Sequence, residues 1–565
     1  MTTEPESPRA EGLRPIGEIA AALGLADDEV EPYGRHAAKI GEVAWERRRE
    51  RPDGRLILVT AITPTPLGEG KTTCTVGLAQ GLRRLGVKAS CTLRQPSLGP
   101  IFGIKGGGAG GGRSQVEPTE LVNLHLTGDM HAVAAAHNLA SAFLDNALHH
   151  GVGPEIDPAA VAWPRVMDMN DRALRRVVIG LGGKANGPAR EEEWWITAAS
   201  EVMAVLALAE NLADLRRRLG RIVAARDRSG RPVTLEDLHV AGAMAALLKD
   251  AVKPNLVQTT EGCPAFVHAG PFANIAHGCS SVAADRIALK TSEAVCTEAG
   301  FGADMGAEKF FDIKCRQSRL APSAAVVVAT VRALKMHGGV GRISAGKPLD
   351  PALLREDVDA VRRGADNLAK HVENVLAFGV PAVVAINAFP QDTEAEFAAV
   401  REAALAAGAL DAIPARHFSE GGAGAEDLAR ATWAAATGGA AAPRPLYGDD
   451  LPLAEKIEMI ARRMYGADGV DFAPEAARRL EAFEREGRGR LSICMAKTQA
   501  SLSHDPALKN RPRGFRLPVR DVRLSAGAGF VVAVTGNMSL MPGLPSEAAG
   551  AAIDVDADGR IVGLR

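Results

Sequence analysis

The sequence predicts an α/β protein: a mostly parallel sheet with helices on both faces, followed by smaller α+β accessory domains. Three observations predict it. Strand-like apolar runs at 56–62, 175–180, 325–332 and 381–386 alternate with Ala/Leu/Arg segments of helical period, such as Ile196–Leu219 and Glu236–Val252. The first run leads directly into TPLGEGKTT, Thr65–Thr73, which precedes a helix-compatible segment ending near Leu85. The chain of 565 residues is too long for one compact core and suits about three domains of roughly 150 residues.

Boundaries follow the glycine and proline clusters. A first domain is expected over 1–350, carrying the TPLGEGKTT loop and open to interruption, with a boundary near Ala345–Asp350. A second α/β domain is expected over 351–445, ending in the Ala/Gly/Pro stretch Thr437–Pro445. The remainder, 446–565, reads as helix-rich and charged at Leu451–Arg490 and as short strands with turns over Pro518–Arg565, hence α+β.

Composition narrows the function class. Net charge is −2 and charged residues make up 24%, so electrostatics favours neither nucleic acid nor an anionic membrane. The polar start MTTEPESPRAEGLRP lacks an apolar leader core, and no segment nears the roughly 18 apolar residues of a membrane span. A cytoplasmic location is expected. The seven cysteines are scattered and odd in number, with no C-x-x-C pair, which suggests neither a disulfide framework nor a zinc site.

A strand feeding a glycine-bearing turn and then a helix gathers backbone N–H groups and a helix N-terminus at one point, which suits an anion. Within Thr65, Pro66, Leu67, Gly68, Glu69, Gly70, Lys71 and Thr72, the two glycines let the backbone wrap around phosphates. Lys71 supplies a point charge to the outer phosphates and Thr72 a hydroxyl to Mg²⁺. Thr65 stands where the common phosphate-loop pattern has glycine, but Thr65–Pro66 can also make a tight strand exit. The fold expected around the loop is P-loop NTPase-like. Pro66 occupies the place where partner-regulated ATPases carry a second lysine, which counts against that subclass.

Arg94, in TLRQPSLGP after a short strand at Lys88–Leu93, offers a fork of donors matched to phosphate oxygens, and the glycines of Phe102–Pro118 permit close backbone approach. In isolation a surface ion pair for Arg94 and a linker for the glycines are the favoured readings. They stand in an ordered series of segments: LRQPSLGPIFGIKGGGAGGG, NLHLTGDMHAVAAAHNL, NDRALR, FVHAGPFANIAHGCSSV, TEAGFGADMGAEKFFDIKCR, FGVPAVVAINAFPQDTEAE, SICMAKTQ and LSAGAGFVVAVTGNMSLMPGLP. With the loop, this series resembles the formate–tetrahydrofolate ligase (formyltetrahydrofolate synthetase) family over nearly the whole chain. That family also carries threonine at the first loop position.

The resemblance implies ATP-dependent ligation of formate to N10 of tetrahydrofolate through formyl phosphate, with Mg²⁺ and, in many members, a monovalent cation. It implies small-molecule partners only and a homotetramer. It assigns Lys71 and Arg94 to phosphoryl transfer, and matches Asp129 to an active-site aspartate that could orient or deprotonate N10; helix capping is the alternative. Phe301, Phe389 and Phe418 match positions associated with the folate slot. His131 and His268 lie near matched motifs and fit a buried, hydrogen-bonded role as well as a catalytic one.

Four positions depart from the family pattern. Gln95 stands for the usual Glu, Ala388 for a basic residue, and HFSEGG carries Phe418 for Trp and Glu420 for Lys. Phe for Trp implies a modest rise in folate KM, and the two lost basic residues a weaker attraction for an acidic glutamate tail. Two other readings remain open at this level: a P-loop ligase or kinase on another small carboxylate, and a regulatory nucleotide-binding protein. No region for dehydrogenase or cyclohydrolase activity is recognisable, so a monofunctional enzyme is expected.

Overall fold

The computed structural model describes residues 12–105, 107–343, 348–536 and 538–564, so half of the boundary expected near Ala345–Asp350 lies outside the described residues. The chain folds as mixed α/β around a large, mostly parallel sheet. Seven parallel strands form its centre: β1 Arg55–Ala61, β2 Ala89–Leu93, β3 Pro264–Val267, β4 Ala294–Glu298, β5 Pro322–Ala329, β6 Ala382–Asn387 and β7 Ala412–Ala415. Their spatial order is β3-β2-β4-β1-β5-β6-β7. Beyond β3 the sheet continues antiparallel through Asn255–Thr259, Ala38–Ile40 and Val30–Pro32.

The central strands are buried on both faces, so they read as continuous apolar runs without alternation. In β1, Leu56 and Leu58 enter one core, while Ile57, Val59 and Ala61 enter another on the opposite face. The first core receives helices Val282–Thr291, Val331–His337, Val358–Ala377 and Glu394–Ala406; the second receives Lys71–Arg84 and Glu426–Thr437. Side-chain caps begin all four helices of the first group: Ser281, Thr330 and Asp357 each accept a backbone N–H of their own first turn, and Thr393 with Glu396 closes a capping box. Strand, short connection and capped helix repeat along the chain. That repetition places one set of connections at the carboxyl edge of the sheet.

Several expected elements differ. The run at 175–180 yields only Val177–Ile179, paired with Arg190–Glu192 in a separate two-stranded ribbon with Val178 exposed. Ile196–Leu219 divides into Glu201–Leu208 and Leu212–Arg221, because Asn211 accepts the Asp214 N–H and starts a second helix. Glu236–Val252 keeps a helix only at Ala241–Leu247.

The stretch Thr437–Pro445 leads through irregular backbone tied to the body, Ala442 N donating to Gly379 O at 2.8 Å and Arg444 N to Phe378 O at 3.0 Å. Residues on both sides of position 350 contribute strands to the one sheet. The C-terminal strands Ser492–Ala496, Asp521–Ser525 and Phe530–Val534 form a three-stranded sheet whose Ile493, Met495 and Val531 join the first core. Among the described residues no helix is long and apolar enough to cross a membrane, and all seven cysteines are unpaired.

Candidate active site

The carboxyl edge of the parallel strands is where an open α/β sheet offers a ligand crevice. β1 ends at Ala61 and releases the chain into the loop, with Gly68 (φ 74°) and Gly70 (φ 76°) in the left-handed region. Gly70 caps helix Lys71–Arg84 without any side-chain hydrogen bond, and a helix N-terminus at this point suits an anion. A Cβ on Gly70 would stand 2.5 Å from Asn387 Nδ2 at the end of β6, so glycine is required by both backbone conformation and space. Asn387 Nδ2 in turn donates to Glu69 O at 3.1 Å.

Glu69 points inward. Its carboxylate accepts from the Thr65 N–H at 2.8 Å and from the Thr330 hydroxyl, folding the loop on itself. Burial pushes this carboxyl above its ordinary range. Any contribution of Glu69 to a phosphate therefore comes from its backbone.

β4 ends in Glu298, which is buried and joins two expected residues. Thr72 Oγ1 donates to Glu298 Oε2 at 2.7 Å, and Arg94 Nε stands 3.6 Å from Glu298 Oε1. Arg94 follows β2, the strand beside β4, and its Nη1 reaches Pro271 O at 3.4 Å. Sequence reasoning missed Glu298. The signal was an acidic residue closing an apolar strand-length run, AVCTE, immediately before EAGFGAD's glycines.

Asp129 begins helix Asp129–His150 but caps nothing; Gly128 holds the cap position in the left-handed region. Its carboxylate accepts from Lys39 Nζ at 2.6 Å, Asn255 Nδ2 at 2.7 Å and Thr127 Oγ1 at 3.2 Å. Since Asn255 pairs with Val267 at the end of β3, Asp129 also sits at the carboxyl edge. The capping alternative is set aside by this geometry. Burial pulls the Lys39 ammonium below its ordinary range, against the opposing pull of Asp129.

The aromatic candidates follow three strand ends. Phe301 lies just past β4 with φ 61°, a left-handed conformation that costs a non-glycine residue about 1–2 kcal/mol. A Cβ on its neighbour Gly300 would stand 3.1 Å from Arg94 Nη1, so the backbone just before Phe301 runs close to the arginine. Phe389, past β6, has one ring face covered by Arg332, whose Cζ is 4.0 Å from the ring centroid. Phe418, past β7, is 46% exposed and lies against the glycine-rich segment: a Cβ on Gly112 would be 2.1 Å from Phe418 O, and Arg113 N donates to that oxygen at 2.8 Å. The glycines of that segment thus serve close backbone packing. Ala388 is half-buried and Glu420 exposed.

His268 is buried between Ser281 Oγ at 2.7 Å and Ala251 O at 2.6 Å, and burial lowers it to about 4, so it is a satisfied structural histidine. His131 is exposed and bonds His125 at 2.8 Å, contrary to the buried role weighed for it. Gln95 is buried with neither amide atom partnered, and nothing in the structure explains it. A cavity of about 380 Å³ lined by Arg216, Arg217, Arg221 and Arg488 involves none of these residues.

No group of three or more His, Cys, Asp or Glu among the described residues is arranged for a metal. The donor set nevertheless suits Mg²⁺, which keeps several waters and takes one or two protein oxygens beside substrate phosphates; Thr72 and Glu298 are hard oxygen donors next to the loop.

The family model described as formate–tetrahydrofolate ligase matches residues 3–565. A formate–tetrahydrofolate ligase of Roseiflexus sp. (strain RS-1) is 57% identical over 567 residues, covering 100% of both chains. The formate–tetrahydrofolate ligase 3 of Rubrobacter xylanophilus is 56% identical over 573 residues, with 100% of both covered, and the ligase of Paracoccus denitrificans is 57% identical over 550 residues, with 97% of each covered. By these matches, and with its loop, Arg94 and Glu298 gathered at one edge of the sheet, the chain belongs to the formate–tetrahydrofolate ligase family.

Proposed function

We propose that this ligase joins formate to N10 of tetrahydrofolate with hydrolysis of ATP to ADP and phosphate, through formyl phosphate, on a P-loop NTPase-like nucleotide site. The observation that carries the reading is the convergence of Thr72, Arg94 and Glu298 at the carboxyl ends of β1, β2 and β4, with Lys71 beginning the same helix as Thr72. Formate is a poor acyl donor because oxide would have to leave, so its activation requires a phosphate leaving group.

In the first step a formate oxygen attacks the γ-phosphorus, the new O–P bond forms, the bond to the β,γ-bridging oxygen breaks and ADP leaves. Catalysis here is charge neutralisation and alignment. The loop N–H groups and Lys71 hold the phosphates, and Arg94 holds the transferring group and then formyl phosphate. Thr72 and Glu298 would seat Mg²⁺, which supplies further neutralisation of phosphate charge.

In the second step N10 attacks the formyl carbon, the C–O bond breaks, and phosphate departs with an oxygen that came from formate. Asp129 supplies a fixed acceptor for the N10–H; paired with Lys39 it orients the amine, and the proton passes to solvent. Phe301, Phe389 and Phe418 offer faces to the folate. The test is ¹⁸O-labelled formate: label in the released phosphate is expected, and its absence would rule out formyl phosphate.

A further inference from the structure

One buried network joins the folate-side turn, the root of the phosphate loop and the C-terminal region, and it has no part in the chemistry above. Asp304 lies in the π-helical turn Ala303–Ala307, directly after Phe301 and Gly302. Lys497, from the SICMAKTQ segment, is fully buried; its Nζ stands 2.9 Å from Asp304 Oδ2 and donates to Ser501 O at 2.6 Å and Thr498 O at 2.9 Å. The ammonium thus spends its donors without reaching solvent.

On the other side His371 Nδ1 is 4.0 Å from Asp304 Oδ1, and His371 Nε2 is 3.0 Å from Thr63 Oγ1. Asn367 Nδ2 donates to the same hydroxyl at 3.0 Å, so the Thr63 O–H is left to donate to His371 Nε2, placing the ring proton on Nδ1 toward Asp304. Burial lowers His371 to about 4, consistent with the neutral ring this pattern needs. Thr63 lies two residues before the loop and is also held through its N–H by Asn367 at 3.2 Å and through its carbonyl by His337 at 3.3 Å.

A buried ion pair of this kind adds little net stability over apolar replacements, so its presence calls for a positional reason. The strained residue beside it supplies one. Phe301 holds an unfavourable left-handed backbone only if its surroundings fix it. The space is tight as well: a Cβ on Gly302, whose backbone is extended, would stand 2.6 Å from Asp304 Oδ1 and 2.8 Å from His371 Cε1.

We propose that Asp304 and Lys497 are positioning residues for the folate substrate, clasping the turn that directly follows Phe301 and holding it against His371, which bonds Thr63 at the root of the phosphate loop. The inference rests on the ligase reading for the identity of the folate ligand. Removing the clasp should loosen Phe301 while leaving nucleotide affinity intact, because Thr63 keeps its bonds to Asn367 and His337.

The test measures dissociation constants for tetrahydrofolate and for MgATP by equilibrium dialysis, with turnover and thermal midpoint, in wild type and in Asp304→Asn/Lys497→Met. Neutralising both partners avoids leaving a buried charge. Gly302→Ala, which crowds Asp304 and His371 without removing either, is the second variant. In both, tetrahydrofolate binding is expected to weaken about tenfold or more, with MgATP affinity within about twofold. Unchanged folate affinity, or parallel loss of both ligands, would overturn the assignment; if the double variant fails to fold, Gly302→Ala decides by the same criteria. A wild type that binds tetrahydrofolate without ligating it, with binding lost in the variants, would retire the ligase reading and keep this one.

Discussion

Thr72 Oγ1 donates a hydrogen bond of 2.7 Å to Glu298 Oε2, joining the first turn of the loop helix to the end of the adjacent strand. The same carboxylate faces Arg94. In Glu298→Gln the amide oxygen still accepts from Thr72, but the charge opposite Arg94 and beside the phosphates is lost. Product formation should fall at least about tenfold and require more Mg²⁺ for half-saturation. Rates measured against Mg²⁺ at fixed ATP check this; an unaltered Mg²⁺ dependence would remove Glu298 from the site.

Lys71 and Arg94 are expected to fail differently. Lys71→Ala should abolish phosphoryl transfer, since the outer phosphates lose their point charge in a site built on backbone N–H groups. Arg94→Ala should lower product formation more than ATP affinity, because the role proposed for Arg94 is to hold the transferring group. Comparing nucleotide binding with turnover in each variant separates the two roles, and unchanged turnover in Arg94→Ala would refute the one given to it.

The Lys39–Asp129 pair makes a stability prediction with a catalytic control. Both side chains are buried, so Lys39→Met leaves an uncompensated carboxylate and should cost about 3–5 kcal/mol in denaturant unfolding. Lys39→Met/Asp129→Asn should regain most of that loss. Its turnover should stay roughly a hundredfold low if Asp129 orients N10; wild-type turnover in the double variant would make Asp129 structural alone.

Glu201 gives a pH signature remote from catalysis. Its side chain is half-buried, accepts the N–H groups of Gly527 at 2.8 Å and Ala528 at 3.2 Å, and is raised from 4.5 to about 7, chiefly by desolvation of the carboxylate. A carboxyl raised on folding contributes stability fully present below its unfolded value of 4.5 and lost as pH rises through about 7. The lost contribution amounts to about 3 kcal/mol at most. Glu201→Gln keeps the acceptor and removes the ionisation, so its stability relative to wild type should be greater at pH 8 than at pH 5. Equal differences at the two pH values would contradict the desolvation assigned to Glu201.

Ala388 and Glu420 predict a weak response to folate chain length. Both replace basic residues usual in the family, and Glu420 is exposed where an acidic tail would be repelled. Ala388→Lys/Glu420→Lys should gain more than wild type from added glutamates, and more at low salt. Equal or greater stimulation of the wild type would sink the idea.

Long apolar runs and glycine punctuation made β1, β5, β6 and the loop legible, because buried parallel strands leave unbroken runs. β3 and β7 were missed: four residues containing proline, as in Pro264–Val267 and Ala412–Ala415, carry too little pattern. The site was legible where a residue type has one obvious chemistry, as with Lys71 and Arg94. Glu298, Lys39 and Asn387 were not, since their roles arise from contacts between residues 90 to 318 positions apart. Asp129 shows the same limit: its place at a helix start was readable, its ion pair with Lys39 was not.

The most direct measurement mixes purified protein with MgATP, formate and tetrahydrofolate, acidifies, and reads the ultraviolet absorption of the methenyl derivative of 10-formyltetrahydrofolate, omitting each substrate in turn. Signal that requires all three substrates is the predicted result. No signal with ATP still bound would contradict the ligase mechanism and leave a nucleotide-binding protein whose folate chemistry was lost with the changes at 388, 418 and 420.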